Sequence, residues 1–92
     1  MDQISRIRFK NLIESLLSYT DAAETEEERA VILRISVVAL NKLRVHANVD
    51  TMLGCDVREL TKRVENCSDM VDLLDLWDDT VHLVGEFGES MA

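Results

Sequence analysis

Apolar residues recur along this chain at steps of three and four, the spacing that lines one face of an α-helix, and they do so in four blocks. In the first, Ile4, Ile7, Leu12, Ile13, Leu16 and Leu17 predict a helix over about residues 2–19, followed by a polar connection over residues 20–24. Thr25 and Glu28 then stand at the spacing of a capping box, in which the hydroxyl accepts from the third backbone N–H and the carboxylate returns a bond to the helix start. Glu26, Glu27 and Glu28 lie at the positive end of the helix that follows, and Lys42, Arg44 and His46 at its negative end. That charge order predicts a second helix even though Val31, Ile32, Ile35, Val37 and Val38 are β-branched and suit strands.

Projected at about 100° per residue, residues 30–47 are apolar over more than half the circumference, and the polar strip is narrow, namely Arg34, Asn41 and Asn48. Such a helix needs neighbours on several sides. Counted from Thr25 the run is about 23 residues, near 35 Å at about 1.5 Å per residue, more than three shorter helices readily cover, so a homodimer burying the leftover apolar face is expected. Asp50 and Gly54 read as the next connection, with Asp56 as N-cap of a short helix whose inner side is Val57, Leu60, Thr61 and Val64. Ser68 is the expected cap of a last helix with the stripe Met70, Leu73, Leu74, Trp77, Val81 and Val84, after which Gly85 and Gly88 predict a flexible tail over residues 85–92. The fold class is therefore all-α: one domain over residues 1–84, a bundle of about four helices assembled as a homodimer.

Composition narrows the function more than the fold. The chain has 92 residues, and at that size only about 60–65% of the unfolded surface is buried, which leaves little room for a deep catalytic cleft. No apolar stretch approaches the roughly 20 residues of a membrane span and no signal peptide is recognisable, so a soluble cytoplasmic protein is expected. Cys55 and Cys67 form no CxxC, and a reduced thiol pair is the plain reading.

The charge is lopsided. Residues 1–63 hold 10 acidic and 10 basic side chains, while residues 64–92 hold eight acids and no lysine or arginine, which accounts for the whole net charge of −8. Within that segment Asp72, Asp75, Asp79, His82 and Glu86 step by three and four along one helix face, with Asp78 beside them. Like charges at these spacings each cost a few tenths of a kcal/mol, and aspartate is a poor interior helix former, so the arrangement is locally unfavourable. The compensation is either a solvated face, pairing with Arg6, Arg8 and Lys10 of the first helix, or docking on a basic surface of another protein. Asp72, Asp75, Asp78, Asp79, His82 and Glu86 are thus the candidate partner-binding residues. The partner would be a basic protein, for example one that binds nucleic acid, whereas direct nucleic-acid binding is disfavoured by a field that repels polyanions.

Catalytic and cofactor chemistry finds little support. Asp79 and His82 have a spacing used by helix-bundle metal sites, but the acids face away from the apolar stripe, and a zinc set of His46, Cys55, Cys67 and His82 matches no close-paired ligand pattern. No Gly-x-Ser-x-Gly turn or phosphate-binding loop is present, and His46 lacks the lysine and glycine that follow the reactive histidine of phosphotransfer modules. His46 instead reads as a packed residue near a helix end. The expectation is a non-enzymatic interaction module without cofactor or metal, a small acidic inhibitor or regulator. A structural oligomer, a secretion chaperone or an immunity protein using the second helix's apolar face stands as the alternative, with histidine phosphotransfer behind them.

Overall fold

The computed structural model describes residues 3–46 and 51–90, and builds them into α1 (Gln3–Ala22), α2 (Glu26–His46), α3 (Thr51–Glu65), α4 (Met70–Leu74) and α5 (Trp77–Ser90). Among the described residues there is no strand, so the chain is an all-α bundle: three long helices, then a C-terminal helix interrupted after its first turn.

Local chemistry explains most boundaries. Thr25 Oγ1 accepts from the Glu28 N–H at 3.1 Å, and the Glu28 carboxylate accepts in return from the Glu24 N–H at 3.5 Å, so the capping box closes one residue further back than expected. α1 runs past Tyr19 to Ala22, where the Thr20 hydroxyl donates to the Leu17 carbonyl and the Ala23 N–H to Tyr19. α3 starts at Thr51, ahead of Asp56, which is an exposed residue inside the helix and not its cap. Gly54, expected in a connection, is helical and buried. A Cβ there would lie 3.4 Å from Arg44 Cγ, an ordinary van der Waals contact, so Gly54 packs beside the Arg44 stem at the end of α2. Asn48 and Asp50 lie outside the described residues.

The C-terminal segment departs furthest from expectation. Asp69, not Ser68, is the N-cap of α4: its carboxylate accepts from the Asp72 N–H at 2.9 Å. One tightened turn follows, with the Leu76 N–H bonded to Leu73, before the Thr80 N–H returns to Leu76 and α5 resumes. The inward residues are Leu73, Leu76, Thr80, Leu83, Val84 and Phe87. The predicted stripe was offset from these: Met70 is exposed, and Leu74, Trp77 and Val81 are only half-buried. Thr80 fits an apolar interior because its hydroxyl donates to the Leu76 carbonyl at 2.8 Å.

Nor does the helix end at Val84, as the expected tail over residues 85–92 requires. α5 continues through Ser90, and Phe87 is completely buried. Gly88 is helical and packs against α1, where a Cβ would stand in ordinary contact 3.4 Å from Leu17 and 3.5 Å from Ile13. Residues 91–92 lie outside the described set.

In the assembled bundle α2 and α5 touch each other, and each also touches α1 and α3, while α4 leans on α2. The two helices form the short diagonal of the bundle. Leu33, Val37, Leu40 and Leu43 of α2 belong with Leu83, Val84 and Phe87 of α5 to one core cluster that also takes in Ile13, Leu16, Val57 and Leu60. Full burial of each such side chain stabilises by about 1.5–3 kcal/mol.

Two substitutions test the extended α5. Phe87→Ala is expected to lower unfolding free energy by about 3–5 kcal/mol, the usual range for an aromatic removed from a core. Gly85→Ala is expected to raise it by about 0.5–1 kcal/mol, since a Cβ at Gly85 meets nothing within 4 Å and alanine is the better helix former. Both are read by urea denaturation, and a frayed segment would leave both values near zero.

Candidate partner-binding face

With Leu76, Thr80, Leu83 and Phe87 turned inward, helical geometry fixes where the acidic residues go. Asp75, Asp78, Asp79 and His82 are exposed on the side of the segment away from the core, and Glu86 is half-buried at its edge. Asp72 is also exposed, but it belongs to α4, and Asp75 caps that helix. The six predicted residues therefore share one flank of the C-terminal segment without sharing one continuous helix.

The structure adds residues from α3. Arg63 meets Asp79, Leu60 and Leu83 border one hollow, and Met52 and Ser90 border the next, so α3 and α5 run antiparallel along a common seam. Asp56 and Glu59 line that seam beside Asp79 and His82, around a hollow of about 240 Å³ floored by Leu60 and Leu83. Glu86 continues it together with Asp56 and Met52. Sequence reading missed Asp56 and Glu59. The available signal was that each precedes a core residue by one position, Val57 and Leu60, as Asp79, His82 and Glu86 precede Thr80, Leu83 and Phe87. In antiparallel neighbours that same offset turns both sets toward the shared groove.

Few cations answer this charge. Arg63 Nη1 lies 3.4 Å from Asp79 Oδ2, with both side chains more than half exposed, a geometry worth about 0–1 kcal/mol. His82 Nε2 lies 2.7 Å from Glu86 Oε1 on the same helix. Among the described residues these are the two ion pairs, so the anticipated neutralisation of the stripe by Arg6, Arg8 and Lys10 does not occur. Arg29 is turned elsewhere, its guanidinium 5.6 Å from the Trp77 ring.

The remaining candidate groups have local roles. His46 is exposed, and its ring stacks on Phe9 at 6.5 Å, which ties the end of α2 to α1. Cys55 and Cys67 are free thiols, and Cys67 Sγ donates to the Arg63 carbonyl at 3.2 Å. Among the described residues no three His, Cys, Asp or Glu side chains converge as a metal ion would require, and no helix is long and apolar enough to cross a membrane. Comparison with protein families, curated proteins and solved structures finds none that matches this chain.

Asp75 is the C-cap of α4, where a negative charge opposes the helix dipole, and it has no ion-pair partner among the described residues. Asp75→Asn is expected to leave the melting temperature unchanged or raise it slightly at low ionic strength, with the difference shrinking as salt is added. A clear fall in melting temperature would mean that this carboxylate serves the bundle itself.

Proposed function

We propose that this chain is a non-enzymatic protein-interaction module, a small acidic inhibitor or regulator that docks its α4–α5 face and the adjoining α3 edge on a basic surface of a partner protein. The supporting observation is the state of the acidic residues: Asp72, Asp75 and Asp78 stand exposed with no ion-pair partner among the described residues, and Asp79 has a single weak one. Asp72, Asp78 and Asp79 are each favoured by the first turn of their own helix, yet their charges remain unscreened toward solvent, where a cationic partner would meet them. Complementary charge of this kind speeds encounter and selects the partner, and the apolar floor of Leu60 and Leu83 offers a place for an aliphatic or aromatic anchor. Basic grooves that bind nucleic acid are surfaces of the required sign, and a partner of that type would be blocked by stoichiometric occupation.

The second element of the proposal is a homodimer. It is favoured by Val31, Ile35, Val38 and Val45, which remain at least half exposed on α2 although the rest of that helix is packed. Dimerisation leaves the acidic face free, so the two elements stand or fall separately.

The test is affinity capture from native lysate with the wild-type chain and with the triple variant Asp75→Asn, Asp78→Asn, Asp79→Asn, at low salt and at a few tenths molar. The expected outcome is a captured basic protein that the variant holds at least about tenfold more weakly while keeping its helical circular dichroism, and that salt releases as the Debye length falls below ~10 Å. Equal capture by wild type and variant, insensitive to salt, would remove the acidic face from the function.

A further inference from the structure

We infer that the outer face of α2 is a self-complementary seam, which a second copy of this chain covers with its own α2 running in the opposite direction. The inference takes the homodimer proposed above as its premise and specifies the face and the orientation.

The seam is defined by burial. α1, α3 with α4, and α5 occupy the other sides of α2, so Leu33, Ser36, Val37, Leu40 and Leu43 are buried, and what remains outside along one line, with exposed Arg34 at its edge, is Val31, Ile35, Val38, Lys42 and Val45. These positions step by four, three, four and three. A 3.5-residue repeat of this kind keeps an apolar strip in line along a helix pair, and it does so here on the side where the chain supplies no partner. The four aliphatic members are 50–61% exposed.

Charge order says what covers it. α2 carries Glu26, Glu27 and Glu28 in its first turn and Arg44 and His46 in its last, with Lys42 just before. A parallel second α2 would stack each acidic turn on its twin and each Lys42 on its twin. An antiparallel one sets the acidic turn of either copy beside the basic turn of the other, in line also with the two helix dipoles. With a two-fold axis near Val38, Val38 meets Val38, Val31 of each copy meets Val45 of the other, and Glu28 falls on the same side as His46, while Lys42 and the second copy's Arg34 fall level and must both extend to the solvent at the rim. Lys42 lays its aliphatic stem along the strip and keeps its ammonium at the rim, a polar position that fixes register. Met70, which borders the same hollow as Val31, widens the patch at each end.

Sedimentation equilibrium and disulfide trapping decide the matter. Wild type is expected to be dimeric at tens of micromolar, and Val38→Glu, at an exposed position that leaves the monomer fold intact by circular dichroism, is expected to weaken dimerisation at least about a hundredfold. For direction, Val31→Cys and Val45→Cys are each made in a Cys55→Ser, Cys67→Ser background, mixed, and oxidised with glutathione disulfide. The mixed 31–45 crosslink should dominate over 31–31 and 45–45. A wild-type monomer would overturn the dimer itself. A dimer untouched by Val38→Glu would overturn this face while leaving dimerisation standing, and dominant 31–31 crosslinks would overturn the antiparallel direction. None of these outcomes bears on the acidic residues of α5, so failure here is distinguishable from failure of partner docking.

Discussion

Packing of α5 against α2 is the contact on which the rest of the bundle depends. Leu33, Leu40 and Leu43 on one side and Val84 and Phe87 on the other are all completely buried, and α1 and α3 each touch both helices of this pair. Advancing either helix by one residue, about 100°, would put Arg34, Asn41 and Arg44, or Gly85 and Gly88, in their place. The contact therefore fixes the rotational setting of both helices, and through it the character of both outer surfaces. What faces out from α5 is then Asp78, Asp79 and His82, and what faces out from α2 includes Val31, Ile35, Val38 and Val45.

The two outer surfaces have opposite physics. Burial of the aliphatic strip on α2 is driven by dehydration and is nearly indifferent to ionic strength, whereas attraction to the acidic strip on α5 decays within a Debye length of about 8 Å in physiological salt. A basic partner therefore responds to salt in a way that self-association does not. The groove between α3 and α5 combines both kinds of surface at small scale, with carboxylates of Asp56, Glu59 and Asp79 around a Leu60–Leu83 floor. Its single lysine or arginine, Arg63, sits at one end and leaves the rest of the groove negative.

Much of this was legible in the sequence, and what was not has identifiable causes. The all-α class, the Thr25–Glu28 cap and the acidic block follow from local rules that hold before any tertiary contact forms. The phase of α5 was misjudged because two overlapping stripes are both largely apolar, and the true one contains Thr80, whose polarity is cancelled only by a bond to its own helix. The helical tail is not legible because glycine reads as backbone freedom, while Gly85 and Gly88 both lie within α5, whose end is held by the buried Phe87. On α2 the strip expected to be polar is only partly outward: Arg34 is exposed, but Asn41 is half-buried and accepts from Arg44, while apolar Val38 is exposed, and Asn48 lies outside the described residues. A helix apolar almost all round does not reveal which of its sides the chain itself will cover. Asp56 and Glu59 join the acidic face only through the antiparallel pairing of α3 with α5, a relation that periodicity along one helix does not carry.

Placing the acidic and apolar strips on the two ends of one diagonal also resolves a conflict that net charge would otherwise create. Two copies of a chain with net charge −8 repel, and the penalty grows if the like-charged surfaces come close. The shortest extent of the molecule is 16 Å, already about twice the physiological Debye length. With self-association through α2, the acidic faces point away from each other and are separated by the thickness of both bodies, so their mutual repulsion is screened almost completely. Near the seam Glu26, Glu27 and Glu28 stand at one end and Lys42, Arg44 and His46 at the other, with Arg34 between, and an antiparallel pairing would set the acidic end of each copy beside the basic end of the other. The one surface where like charges remain crowded is the outer side of α5 with its α3 edge, and a cationic partner is what would relieve it.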